Sequence, residues 1–266
     1  MVAFSDPGFA ELLHTQRPAV SLVSPTCSHM VRVNTAITES DGTTTKINEP
    51  GPLLSAADIA AGTATVVEQV LASQASWLVF SGSLPPGDTA DWYANIIAEV
   101  AGSGCLIAVD TSGAGLDRVV AGLAVNPIDL IKPNSDELAQ LTGKNAADFE
   151  ADAAAGHLDD IVEAALSLHS RGIANVLVTL GAAGALLACG EGVWYAQAPK
   201  VNVVSTVGAG DSSVAGFILA HHHGAGPGEC LATAVAYGSA AASLPGTTLP
   251  GPMDVSVDQV RVSQLR

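Results

Sequence analysis

Hydrophobic and polar positions along most of this chain follow two alternating periods. Residues 77–80 (Trp-Leu-Val-Phe) form a short apolar run that stops at Ser81-Gly82, as a buried strand does. Over 89–101, Trp92, Tyr93, Ile96, Ile97 and Val100 recur at helical spacing. Residues 106–109 predict the next strand, and 116–122 a short helix. A strand at 129–132 is stopped by Pro133, which has no amide N–H to donate. From Leu158 onward, Ile161, Val162, Ala165, Leu166 and Leu168 trace one helical face that ends near Gly172, and 176–179 follow as a strand. Continuous apolar strands alternating with helices predict an α/β fold, its sheet mostly parallel with helices on both faces. No repeat, low-complexity tract or linker divides the chain, so a single domain over 1–266 is expected.

Residues 31–50 follow another pattern. Val31, Val33, Thr35 and Ile37 alternate with Arg32, Asn34 and Ala36; Asp41-Gly42 supplies a turn, and 43–47 return. This predicts a half-exposed β-hairpin, either an edge of the main sheet or a separate flap over a site, and the pattern alone favours the edge.

Composition removes whole classes of function. With 48% hydrophobic and 14% charged residues, the 266-residue chain is the reverse of a disordered one and long enough for a sizeable core. Ten Lys and Arg against 26 Asp and Glu leave a formal charge of −16, which excludes a basic nucleic-acid surface and docking to anionic lipid. An anionic substrate must therefore be met by a few placed cations, by backbone N–H groups or with a metal. No apolar stretch reaches the roughly 18 residues needed to span a bilayer. The first residues lack the basic segment and apolar core of a secretory signal, so a cytoplasmic location is expected. Cys27, Cys105, Cys189 and Cys230 are widely separated and read as reduced, buried thiols.

Several segments could carry chemistry. Ser205-Thr-Val-Gly208-Ala209-Gly210-Asp211-Ser-Ser213 opens a helix running to about His222. Glycines just before a helix let backbone N–H groups converge on an anion at the positive end of the helix dipole. The segment is neither a Walker A loop nor the dinucleotide Gly-x-Gly-x-x-Gly. Asp211 there is either an N-cap or a general base aimed at a hydroxyl beside a phosphate. Residues 81–87 (Ser-Gly-Ser-Leu-Pro-Pro-Gly) follow a strand end, where open α/β sheets bind ligands, although a Gly- and Pro-rich turn explains them as well. Asn134 and Glu137, three apart at a helix start, could influence a metal shell or form a capping box, and the capping box is favoured. Residues 179–184 join two strands through a glycine-bearing turn that a flat nucleotide could approach, or that is a plain hairpin. Consecutive residues His221, His222 and His223 point in three directions, so they read as a frayed helix end rather than a metal site.

Taken in order, SGSLPPG at 81–87, IKPNSDE at 131–137, VTLGAAGAL at 178–186 and STVGAGDS at 205–212 resemble the PfkB branch of the ribokinase-like sugar kinases, from about Phe4 to the C-terminus. Val31-Arg-Val-Asn34, Asn48-Glu-Pro-Gly-Pro52 and the run into STVGAGDS are most similar to the members that phosphorylate D-fructose 1-phosphate. Those acting on tagatose 6-phosphate or fructose 6-phosphate stand close by.

The resemblance implies a three-layer ribokinase-like fold with a small β lid, here 31–50, that covers the sugar and often mediates a homodimer. It implies ATP and Mg²⁺ as cofactors and a sugar phosphate as the other small-molecule partner, with fructose 1,6-bisphosphate as product. Asp211 would be the catalytic base, with Gly208, Ala209 and Gly210 as the anion hole. Arg32, Asn34 and Ser83 match positions that hold the sugar phosphate. Lys132 and Asn134 match positions near the ATP phosphates, and Asn134 with Glu137 the motif governing Mg²⁺. Thr179, Gly181, Ala182, Ala183 and Gly184 fall on the nucleotide-binding turn, and Ser239 on the adenine pocket. Family members normally begin with a strand bearing a sugar-contacting Asp and a glycine-rich segment with a Lys. Neither precedes Met1, so a chain shortened at its N-terminus is expected, either active or a nucleotide-binding remnant.

Overall fold

A computed structural model of the chain describes residues 1–25, 30–38 and 44–266. The expected turn at Asp41-Gly42 and the thiol of Cys27 lie outside the described residues. The chain divides into two compact units: a smaller one of residues 1–78, 83–105 and 114–119, and a larger one of 79–82, 106–113 and 120–266.

In chain order the elements are α1 (Pro7–Gln16), β1 (Asn34–Thr38), β2 (Thr44–Asn48), α2 (Ala56–Ser73), β3 (Trp77–Ser81), α3 (Trp92–Glu99), β4 (Leu106–Asp110), α4 (Gly113–Ala121), β5 (Ile128–Ile131), α5 (Ser135–Thr142), α6 (Ala146–Ala155), α7 (Asp159–His169), β6 (Ile173–Thr179), β7 (Ala185–Cys189), β8 (Gly192–Gln197), α8 (Ala209–His222), α9 (Pro227–Ser243) and β9 (Arg261–Gln264). Seven strands form one sheet in the order β3-β4-β5-β6-β7-β8-β9. It is mixed: β4–β5 and β5–β6 are parallel, while β6–β7, β7–β8 and β8–β9 are antiparallel. The sheet is flanked by helices, the α/β class implied by the alternating periods. The sequence pattern did not identify β8 and β9. The last strand is exposed at all four positions, as an edge strand can be, so it carries no apolar signature.

The core of the larger unit explains the apolar runs. All five residues of β7 are buried, which requires cover on both faces, and α7 and α9 both pack against this strand. Leu130, Val176, Leu177, Val178, Leu186 and Leu187 are fully removed from water. On a scale of roughly 1.5–3 kcal/mol for each fully buried aliphatic side chain, this strip supplies much of the drive to fold.

In the smaller unit, α2 and α3 pack through Trp92. Its indole N–H donates to Thr63 Oγ1 at 2.8 Å, its ring centroid lies 6.0 Å from that of Phe4, and Gly62 gives it room. The β1–β2 hairpin pairs Asn34 with Asn48, Thr35 with Ile47 and Ile37 with Thr45. It forms a two-stranded sheet of its own and is not part of the seven-stranded sheet. The pattern's preference for a sheet edge is thus corrected: hairpin pairing satisfies one side of each strand, and alternation alone cannot tell an edge from a free ribbon.

Candidate active site

The segment before α8 is tied to the end of α9, where the N–H groups of Val204 and Ser205 both donate to Ala242 O at 2.8 and 3.2 Å. The chain then turns at Gly208, whose φ of 79° lies in the left-handed region open to glycine. Gly208 is the N-cap and makes no side-chain cap bond. The first turn of a 14-residue helix therefore starts without a side-chain cap, with its dipole's positive end toward the loop. Asp211 is the third residue of the helix, so the N-cap reading of this carboxylate fails. The side chain is exposed and accepts a hydrogen bond from Ser81 Oγ at 2.7 Å on Oδ1.

A buried ion pair lies beside this turn. Lys132 follows β5, Asp110 ends the neighbouring parallel strand β4, and Nζ stands 3.1 Å from Oδ1. A Cβ built on Gly210 would come within 3.3 Å of Lys132 Nζ and 3.9 Å of Asp110 Oδ2, so a side chain here would press on the end of the lysine. Burial pushes the Asp110 carboxyl above its usual range, Lys132 pulls it back, and the charge of Asp211 adds to the rise. Three charged groups thus share one electrostatic environment.

Asn134 and Glu137 form the favoured capping box: Glu137 N–H donates to Asn134 Oδ1 and Asn134 N–H to Glu137 Oε2, both at 2.9 Å. Burial raises the Glu137 carboxyl, with the Asn134 N–H opposing. This motif adjoins the 179–184 turn, since Thr179 N–H donates to Pro133 O at 3.0 Å and Asn134 bridges Thr179. The turn closes through Leu180 N–H to Gly184 O at 2.9 Å, and its residues 181–183 form a single 3₁₀ turn. Gly184 has a φ of 110°, and a Cβ there would run into the Ala196 carbonyl of β8. Strand packing alone thus demands this glycine, whatever binds nearby. Ser239 is half-buried on α9 next to Gly238, which packs against Ser213 and the Ala209 carbonyl of α8.

In the larger unit, then, Gly208, Ala209, Gly210, Asp211, Lys132, Asn134 and Glu137 fall on neighbouring segments, as do Thr179 and the turn after it. Arg32, Asn34 and Ser83 belong to the smaller unit, where all three are exposed. Arg32 lies over Gly51, and its charge lowers the Tyr93 hydroxyl against a larger rise from burial.

Sequence reasoning missed two participants. Ser81 and Asp110 are each the last residue of a strand, β3 and β4, at the carboxyl ends where open α/β sheets assemble sites. That position marks the 81–87 segment as a whole without singling out Ser81, and for Asp110 it was the available signal. His221, His222 and His223 occupy the last turn and C-cap of α8, and no metal-holding group of three or more His, Cys, Asp or Glu occurs among the described residues. Among those residues Cys189 and Cys230 are buried, Cys105 half-buried, and no helix is long and apolar enough to cross a membrane.

The family model for pfkB family carbohydrate kinases matches residues 27–253. The 1-phosphofructokinase of Haloferax volcanii is 38% identical over 87% of this chain and 68% of its own length. That of Rhodobacter capsulatus is 36% identical over 78% of this chain and 61% of its own, and that of Escherichia coli 36% over 70% and 55%. The chain thus spans little more than half to two thirds of these relatives. A crystal structure of phosphofructokinase-2 from Escherichia coli in complex with substrates and products superposes with a TM-score of 0.79 at 29% identity, covering 95% of this chain and 78% of that one. A possible 1-phosphofructokinase of Thermotoga maritima shares the fold, with a TM-score of 0.83 at 21% identity over 100% and 81%.

Proposed function

The chain belongs to the pfkB family of carbohydrate kinases, and on that premise we propose that it transfers the γ-phosphoryl group of ATP to D-fructose 1-phosphate, giving fructose 1,6-bisphosphate and ADP. The observation that carries this reading is Asp211, a carboxylate on the uncapped first turn of α8 with one oxygen held by Ser81.

The sugar's primary hydroxyl gives its proton to the free carboxylate oxygen of Asp211 as its oxygen bonds to the γ-phosphorus. The bond from that phosphorus to the bridging oxygen of ADP breaks. The backbone around Gly208, Ala209 and Gly210 faces the charge that builds on the transferred group, and the helix dipole has the right sign for it. Lys132, held by Asp110, adds positive potential for the phosphates of ATP. The turn of Thr179, Gly181, Ala182, Ala183 and Gly184, with Ser239, receives the nucleoside. Asn134 and Glu137 offer the hard oxygen donors that Mg²⁺ takes, but the single side-chain oxygen of Asn134 and one of the two of Glu137 already accept in the capping box. They suit an ion held through its water shell, the usual habit of Mg²⁺. When bound, that ion neutralises phosphate charge.

In the smaller unit, Arg32, Asn34 and Ser83 are assigned to the sugar phosphate and β1–β2 to a lid. The register supports this division of labour. Asn34 and Asn48 share one face of the ribbon, while Thr35, Ile37, Thr45 and Ile47 share the other, exposed and partly apolar. We assign the second face to a homodimer contact, a single kinase domain to the chain as a whole, and a cytoplasmic location to a reaction that consumes ATP and a sugar phosphate.

A coupled assay of ADP release with fructose 1-phosphate, fructose 6-phosphate and tagatose 6-phosphate tests the reading. The first sugar should give the highest kcat/KM, and Asp211→Asn should lower kcat about 10²–10⁴-fold. Equal turnover in Asp211→Asn would remove the base assignment. ATP binding by calorimetry without turnover on any sugar would leave a nucleotide-binding protein in place of a kinase.

A further inference from the structure

We propose that Ser81 is a positioning residue for the reaction: its hydroxyl holds the Asp211 carboxylate so that the second oxygen faces the substrate hydroxyl. The inference rests on the kinase reading of the same site. Ser81 Oγ donates to Asp211 Oδ1 at 2.7 Å across 130 positions of sequence. Such a bond to an ionised acceptor is short and about twice as strong as one between neutral groups.

The donor is itself braced. Ser81 is the last residue of β3, and the next residue is clamped from both sides by the end of β4. Gly82 N–H donates to Asp110 O at 2.9 Å, and Thr111 Oγ1 donates to Gly82 O at 2.9 Å. Phe80, immediately before, is buried. A hydroxyl carried on so fixed a backbone leaves the carboxylate little freedom about χ2. The N-cap of α8 is Gly208, so no side chain caps the turn that carries Asp211. A base that must meet a hydroxyl within about 3 Å gains directly from that restraint.

Ser81 is exposed, so its replacement leaves the core untouched. In steady-state kinetics with fructose 1-phosphate, Ser81→Ala should lower kcat about 10–30-fold, with KM for ATP and sugar within about twofold of wild type. Ser81→Thr keeps the hydroxyl and should recover kcat to within about threefold. The carboxyl-carbon NMR resonance of Asp211 at pH 7 should move in Ser81→Ala and return in Ser81→Thr, a readout that needs no turnover. Wild-type kcat in Ser81→Ala, a rise in KM alone, a Thr variant as slow as Ala, or an unmoved Asp211 resonance would each overturn the assignment. Failure of the underlying reading looks different, because Asp211→Asn itself would then turn over like wild type.

Discussion

Lys132 Nζ stands 3.1 Å from Asp110 Oδ1, with only 6% of the lysine side chain exposed, directly beneath Gly210. Parallel strands β4 and β5 bring the two groups side by side at their carboxyl ends. In a chain of ten cations and 26 acids, one of the few cations is thus buried at the start of α8 and paired with a carboxylate. Buried pairs of this kind contribute little net stability but are damaging to break, because the partner left behind stays charged in a poorly solvated place.

Lys132→Met should accordingly destabilise the protein by about 3–5 kcal/mol at pH 7. Its pH dependence has a definite sign. Burial already raises the folded-state pKa of Asp110, and Lys132 is what opposes the rise. Without the lysine the folded value climbs further, so the protonated acid is favoured in the folded state. The penalty is absent below the unfolded carboxylate range and grows as pH rises through the folded pKa. Urea unfolding at pH 4, 5.5 and 7 should show the deficit widening with pH; a deficit constant over that range contradicts the pairing.

Gly184→Ala should destabilise the larger unit by about 2–5 kcal/mol, from the strain of φ 110° together with the approach of the Ala196 carbonyl. Equilibrium denaturation reads this directly. The magnitude separates two reasons for the glycine. A ligand-driven requirement would lower nucleotide affinity while leaving stability unchanged, whereas the β8 contact lowers stability with no ligand present.

Much of this was legible in the chain because the signals were local. The runs at 106–109 and 176–179 are buried strands, and Asn134 with Glu137 caps α5 as their spacing implies. Glycines just before Asp211 marked a helix start. Relations between distant segments were not legible. Nothing near Ser81 in sequence announces a carboxylate 130 residues away, and nothing around Asp110 announces the lysine it pairs with. The hairpin at 31–50 shows the same limit, since a period of two fixes which residues share a face but not what the ribbon pairs with.

The exposed face of that hairpin gives a sharp oligomeric prediction. Ile37 and Ile47 are 51% and 55% exposed, and Val33 just before β1 is 57% exposed. Apolar β-branched residues gathered on one ribbon face favour burial against a second copy. Ile37→Glu should convert a dimer to a monomer in sedimentation equilibrium and leave the thermal midpoint of the isolated chain nearly unchanged. A wild-type protein that sediments as a monomer at high concentration would rule this contact out.

Cys230 offers a test of the core that does not depend on activity. Its thiol sits in α9 with 2% exposure, its Sγ 3.4 Å from Ala225 O, and burial pushes its pKa up to about 11, with the charge of Glu229 adding to the rise. At pH 8 only about one molecule in a thousand then carries the reactive thiolate, since each pH unit below the pKa removes a factor of ten. Burial raises the Cys189 thiol as well, while Cys105 is half-buried. In a Cys27→Ser protein, an aromatic disulfide reagent at pH 8 should titrate Cys105 first and reach the other two only in denaturant. Raising the pH from 8 to 9 should speed any slow native-state reaction of Cys230 about tenfold. Rapid labelling of Cys230 at pH 8 in the folded protein would show that α9 opens locally far more often than its packing against β7, β8 and β9 predicts.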